Sequence, residues 1–142
     1  MDHAIDVDGL VVRRGGRTVL HGISTQIPTG SITGLLGSSG SGQTMLMRAI
    51  VGVQKVAGGR VTVLGKPAGD PALRHTVGYL TQAPSVYADL TVRENTHYFA
   101  SLYPGITTAD ADQAIVDVGL GDAAGQLVST LSGGQFSRAS LA

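Results

Sequence analysis

Residues Gly37-Ser38-Ser39-Gly40-Ser41-Gly42-Gln43-Thr44 follow the spacing G-x-x-x-x-G-K-[ST] at every defined position but one. A loop of this kind turns backbone N–H groups and the N terminus of the following helix toward phosphate oxygens. Its lysine reaches the β- and γ-phosphates, and the next Ser or Thr hydroxyl holds Mg2+. Here Gln43 stands where the lysine belongs, while Thr44 keeps the hydroxyl. The candidate chemistry is binding of a nucleotide with Mg2+ through a loop that lacks its cation. Two unit charges about 4 Å apart interact by roughly 4 kcal/mol at an effective dielectric near 20. Glutamine keeps a hydrogen-bond donor, so binding weakens by less than that figure. Transition-state stabilisation suffers more, because charge builds on the γ-phosphoryl oxygens and positioned cations stabilise it.

Such a loop needs a strand before it and a helix after it. The apolar run Ser31-Ile32-Thr33-Gly34-Leu35-Leu36 predicts a buried parallel strand. Met45, Leu46, Ala49 and Ile50 recur at helical spacing, and Gly52 marks the stop. Further upstream, the apolar positions Ile5/Val7, Val11-Val12 and Val19-Leu20 predict strands joined at Gly15-Gly16. Gly59–Gly65 and Val77–Thr81 read as two more strands. Beyond Gln82 the pattern turns helical. Thr91 is expected to cap a helix running to Tyr103 and ended by Pro104-Gly105, and Thr108 to cap another from Ala109 to Val118.

Three further segments carry a family resemblance. Leu131-Ser132-Gly133-Gly134-Gln135 spells LSGGQ, with Ser132 placed as the N-cap of a helix beginning near Gln135. Gln82 ends Val77-Gly78-Tyr79-Leu80-Thr81-Gln82, and Leu90-Thr91-Val92-Arg93-Glu94-Asn95 follows. Together with the phosphate loop, and in this order, these segments resemble the nucleotide-binding domain of ABC transporters from about Ile5 to Ala142. The Leu90–Asn95 pattern is similar to that of bacterial drug and polysaccharide exporters. The resemblance implies an α/β P-loop NTPase core with an N-terminal antiparallel β portion and a helical subdomain, incomplete in these 142 residues. It places the core at residues 1–82 and the helical subdomain at 83–142.

The resemblance also implies roles. Gly37, Ser38, Ser39, Gly40, Ser41, Gly42, Gln43 and Thr44 would hold nucleotide phosphates, with Thr44 and Gln82 at the Mg2+. Two domains of the family pair head-to-tail, so Leu131, Ser132, Gly133, Gly134 and Gln135 would serve the partner's ATP. Gln82 looks like the residue that senses the γ-phosphate and couples to a membrane-spanning permease, and Val86–Leu90 looks like the surface that meets it. Arg14 falls where the family usually places an aromatic that stacks on adenine; a guanidinium plane can also stack on a base, and a solvated basic turn is the alternative reading. The implied function is an ATP-binding subunit driving export through a separate permease, peripheral to the cytoplasmic face of the plasma membrane. The rival expectation is a non-hydrolysing remnant that donates its signature motif to a partner.

Other departures bear on that choice. The family follows the signature helix with a hydrophobic strand ending in Asp-Glu, which organises Mg2+ and the attacking water. No run of four apolar residues followed by Asp-Glu occurs in the sequence. Hydrolysis is therefore expected to be lost, and the chain to be a truncated domain. His3, His21, His75 and His97 show no metal-ligand spacing, and there is no cysteine. Zero formal charge leaves no footprint for nucleic acid, and no apolar stretch approaches a membrane span.

Overall fold

A computed structural model describes residues 2–83 and 85–142. Contacts divide the chain into two units, Met1–Gly78 and Tyr79–Ala142. Each is built differently.

In the first unit, Gly15 and Gly16 both hold positive φ, 55° and 75°. Only a turn of that left-handed kind lets a two-residue connection match the twist of its strands. It joins β1 (His3–Arg14) to β2 (Arg17–Pro28), with Arg14 opposite Arg17. β3 (Gly58–Val63) pairs on the other side of β1, and the short β4 (Lys66–Pro67) follows it, giving the antiparallel order β2-β1-β3-β4. The register of β1 against β2 shifts several times. Between Val7 and Leu10 the extra residue lies in β1, and the bulge returns Leu10 to the face that carries Val7. Between Val12 and Arg13 the extra residue, Val19, lies in β2.

That face receives α1 (Gln43–Ile50). Met45, Leu46, Ala49 and Ile50 form its buried stripe, as their spacing requires, and pack with Val7, Leu10, Val12, Leu20, Val61, Val63 and Leu73. Val51 caps the helix and Gly52 leaves it at φ 79°.

Two expected strands are absent. Ser31–Leu36 and Val77–Thr81 carry no regular structure, and Ile32 and Leu36 are almost wholly exposed, at 103% and 94%. A strand exists only through hydrogen bonds to a neighbour, and no strand among the described residues pairs with either segment. Apolar composition alone does not supply that partner.

The second unit is helical: α2 (Val92–Ala100), α3 (Thr108–Asp117) and α4 (Gly133–Ala139). Each begins with a reciprocal capping box. Thr91 pairs with Glu94, Thr107 with Asp110, and Ser132 with Gln135. The cap of α3 is thus Thr107 and not Thr108, because Asp110 lies three residues beyond Thr107 and reaches its backbone N–H at 2.8 Å. α2 ends at Ala100, before Tyr103; Ser101 caps it and donates its hydroxyl to the Tyr98 carbonyl at 2.6 Å.

Val92, Ile115, Leu120, Ala123, Ala124, Val128 and Ala139 form this unit's core. Within it, Asn95 is 1% exposed. Its Oδ1 accepts from the Tyr87 N–H at 2.7 Å, and its Nδ2 donates to the carbonyls of Tyr87 and Thr91 at 2.9 and 3.0 Å. One amide therefore ties the loop before α2 to the helix. Asp112 on α3 accepts from Arg93 Nε at 3.1 Å and lies 2.9 Å from His97 Nε2, linking α2 to α3.

Asn95→Ala leaves two part-buried backbone groups of Tyr87 without their partner and is expected to cost about 1–3 kcal/mol. Urea unfolding followed by tyrosine fluorescence measures this, and a change under 1 kcal/mol would refute the clamp. The Asp112 carboxyl is held below its ordinary 3.8, first by the His97 contact and then by Arg93. Glu94 and Asp110 are lowered by their bonds to Thr91 and Thr107. A lowered folded pKa adds stability that is complete above the unfolded value and lost as pH falls through the folded one. Stability is therefore expected to hold from neutrality down to the ordinary carboxylate range near pH 4, then fall. Asp112→Asn is expected to make that acid limb shallower in pH-dependent melting.

Candidate nucleotide-binding site

The loop from Gly37 to Gly42 is shaped by contacts that exclude side chains. A Cβ on Gly37 would lie 2.5 Å from Ser41 Oγ, and one on Gly42 would lie 2.5 Å from Leu20 Cδ2 and 3.3 Å from Val19 Cγ1. Gly42 also holds φ 96°, where L side chains are strained. The Ser41 N–H donates to the Ser38 carbonyl at 3.0 Å, closing the turn. Gly42 is the N-cap of α1, no side chain caps the helix there, and its first turn holds no acidic residue. The first-turn N–H groups and the positive end of the helix dipole are thus left to an anion.

Gln43 is half-buried, and its Nε2 donates to the Leu35 carbonyl at 3.1 Å, back across the loop. The neutral amide closes the loop on itself. Thr44 is exposed at the head of the helix. This cradle suits a phosphate chain: glycines where a Cβ would intrude, uncapped amides, and a hydroxyl free to face Mg2+. Among the described residues no cluster of three or more His, Cys, Asp and Glu could hold a metal.

Within the same unit, Gly42 rests on Val19 and Leu20 of β2, so the hairpin tip bearing Arg14 lies at the loop's end of the sheet. Arg14 is exposed. The other candidate residues belong to the second unit. Gln82 is exposed in a bend just before α2's loop. Leu131 packs against that unit's core, while Gly133 and Gly134 are open, with nothing within 4 Å of an added Cβ. Ser132 Oγ accepts from the Gln135 N–H at 3.3 Å, and Gln135 Oε1 accepts from the Ser132 N–H at 3.0 Å. The sequence placed this cap but named no role for Asn95 or the Leu35 carbonyl; a buried amide eight residues from its partner gives no local signal.

The fold is that of an incomplete α/β P-loop NTPase. The family profile described as ABC transporter matches residues 20–142, and the chain belongs to that family. It is 41% identical over 138 residues to the zinc import ATP-binding protein ZnuC of Roseobacter denitrificans, covering 97% of this chain and 50% of that protein. It is 36% identical over 138 residues to the fluoroquinolones export ATP-binding protein Rv2688c of Mycobacterium tuberculosis, covering 94% of this chain and 46% of that protein. The chain thus spans about half the length of the curated relatives it matches. Among solved structures, cbiO1 from Clostridium perfringens, part of the ABC transporter complex cbiONQ, superposes with TM-score 0.83 at 24% identity, covering 99% of this chain and 60% of that one. A bacterial Atm1-family ABC exporter with ATP bound superposes with TM-score 0.84 at 24% identity, covering 99% and 26%.

Ser132→Ala removes the cap of α4 and is expected to cost about 1 kcal/mol. Urea unfolding of the second unit reads the change, and Ser132→Asp, which keeps an acceptor, should recover most of it.

Proposed function

We propose that the chain is the ATP-binding part of an ABC transporter, residues 1–82 forming the nucleotide-binding core and 83–142 the helical subdomain. The observation that carries this reading is the loop itself: glycines closed against Ser41, Val19 and Leu20, opening onto an uncapped helix N terminus. In this reading the amides of residues 37–44 hold the phosphates, Thr44 and Gln82 face Mg2+, and Arg14 stacks on the adenine. Leu131–Gln135 serves the ATP of a second nucleotide-binding domain. A membrane-spanning permease subunit docks near Val86–Leu90 and places the protein at the cytoplasmic face of the membrane. Among the described residues no helix is long and apolar enough to cross a membrane.

Relatives named for zinc import and for fluoroquinolone export both match. The Leu90–Asn95 resemblance supports export, and uptake against efflux with the cognate permease decides it. Gln43 makes the loop neutral, so binding in this reading survives better than hydrolysis. That favours the second reading as well: a chain that contributes Ser132, Gly133 and Gly134 to a competent partner's site while turning over little ATP itself.

Titration of a fluorescent ATP analogue with Mg2+ tests the core claim. Gln43→Lys is expected to tighten binding by about tenfold, as adding a charge-assisted contact does. Equal affinities would mean that the loop does not grip phosphate. Hydrolysis by the 142-residue chain is expected at the level of a buffer blank, and turnover above it in an ATPase-free preparation would overturn the non-hydrolysing reading.

A further inference from the structure

Residues 9–69 contain seven Lys and Arg and not one Asp or Glu, in a chain whose formal charge is zero. This acid-free stretch includes the whole phosphate loop, α1 and the β1–β2 turn. At that turn, Arg14 pairs directly with Arg17. Facing residues in such a pair sit about 5.5 Å apart at Cα, and like charges so placed repel. The ion pairs among the described residues are Arg60 with Asp8, and Arg93 and His97 with Asp112. Neither arginine of the turn takes part in one.

Their direction follows from the strand. Val12 is fully buried in the core shared with α1, and Arg14, two residues on, projects from the same face of β1. Arg17 is paired with Arg14 and shares that face. Two residues further along β2, Val19 lies beside Gly42, the last glycine of the loop, its Cγ1 3.3 Å from where a Cβ on that glycine would stand. Two residues of strand span roughly 7 Å, within the reach of an arginine side chain. The two guanidinium groups therefore stand on the loop's side of the sheet, without a counter-charge.

We infer that Arg17 is a phosphate-binding residue that supplies from the hairpin the positive charge Gln43 does not supply from the loop. The ligand class is the polyphosphate chain of a nucleoside triphosphate, for which a planar guanidinium offers paired donors. The inference rests on the nucleotide-binding reading and adds to it a residue and an electrostatic design. The backbone amides set the geometry, and the cation comes from another element.

Binding of ATP and of inorganic tripolyphosphate to the full chain, measured calorimetrically at an ionic strength of about 0.15 M, tests it. Arg17→Gln is expected to weaken both ligands roughly tenfold, as loss of one charge-assisted contact does. Arg13→Gln makes the same change of net charge from the adjacent strand position and is expected to weaken them by less than about twofold, since distant exposed charges are screened. Arg17→Lys should keep most of the affinity, and Gln43→Lys should restore it in the Arg17→Gln background. Circular dichroism confirms folding, which an exposed turn residue should not disturb. Unchanged ATP binding in Arg17→Gln, or equal losses in Arg13→Gln and Arg17→Gln, overturns this inference and leaves nucleotide binding standing. Failure of the wild-type chain to bind either ligand overturns both.

Discussion

Helix α1 presents Met45, Leu46, Ala49 and Ile50 on one stripe, and the burial of that stripe against Val12, Leu20 and Val61 is the contact on which the candidate site depends. Met45, Leu46 and Ile50 each contribute roughly 1.5–3 kcal/mol when removed from water. An eight-residue helix has little stability of its own, so α1 exists because the sheet face receives it. The phosphate loop hangs between this helix and β2. Its last glycine is pressed on Val19 and Leu20, so any shift of the helix would move the amides it presents. The bulges in the hairpin serve the same packing, since without the extra residue before Leu10 the apolar positions of β1 would alternate out of the core.

Charge is distributed around this contact in an unusual way. The loop has exchanged its cation for Gln43, whose amide is turned onto the chain at Leu35, yet the surrounding sequence from 9 to 69 is wholly basic or neutral. A phosphate-binding loop needs both directed donors and a positive potential, and these can come from different elements. In the proposed site the donors are the backbone of the loop and helix, and the potential comes from the acid-free stretch of residues 9–69.

The second unit is organised by polar contacts at its ends more than by a large core. Three capping boxes start its three helices, and Asn95 and Asp112 tie helix to loop and helix to helix. The signature residues Ser132 and Gln135 are spent on one of these boxes, which leaves the flanking Gly133 and Gly134 as open backbone. The chemistry available there is main-chain donation, consistent with the role the family resemblance implies.

Local rules were enough to read several parts of this protein from sequence. Gly15-Gly16 is a two-residue turn because both positions need positive φ, the apolar stripe of α1 follows a 3.6-residue period, and Thr91 and Ser132 find their Glu or Gln three residues on. The order of the loop, Gln82, Leu90–Asn95 and LSGGQ was likewise enough to point to the family. What depended on distant partners was not legible. Ser31–Leu36 has the composition of a buried strand and is exposed, because a strand is defined by its neighbours and none among the described residues pairs with it. The bond from Gln43 to Leu35, the clamp of Asn95 on Tyr87 and the facing of Arg14 with Arg17 on the loop's side of the sheet are equally products of tertiary structure. Periodicity and capping act within a few residues and are written in the chain; register, bulges and burial arise only when separate segments meet.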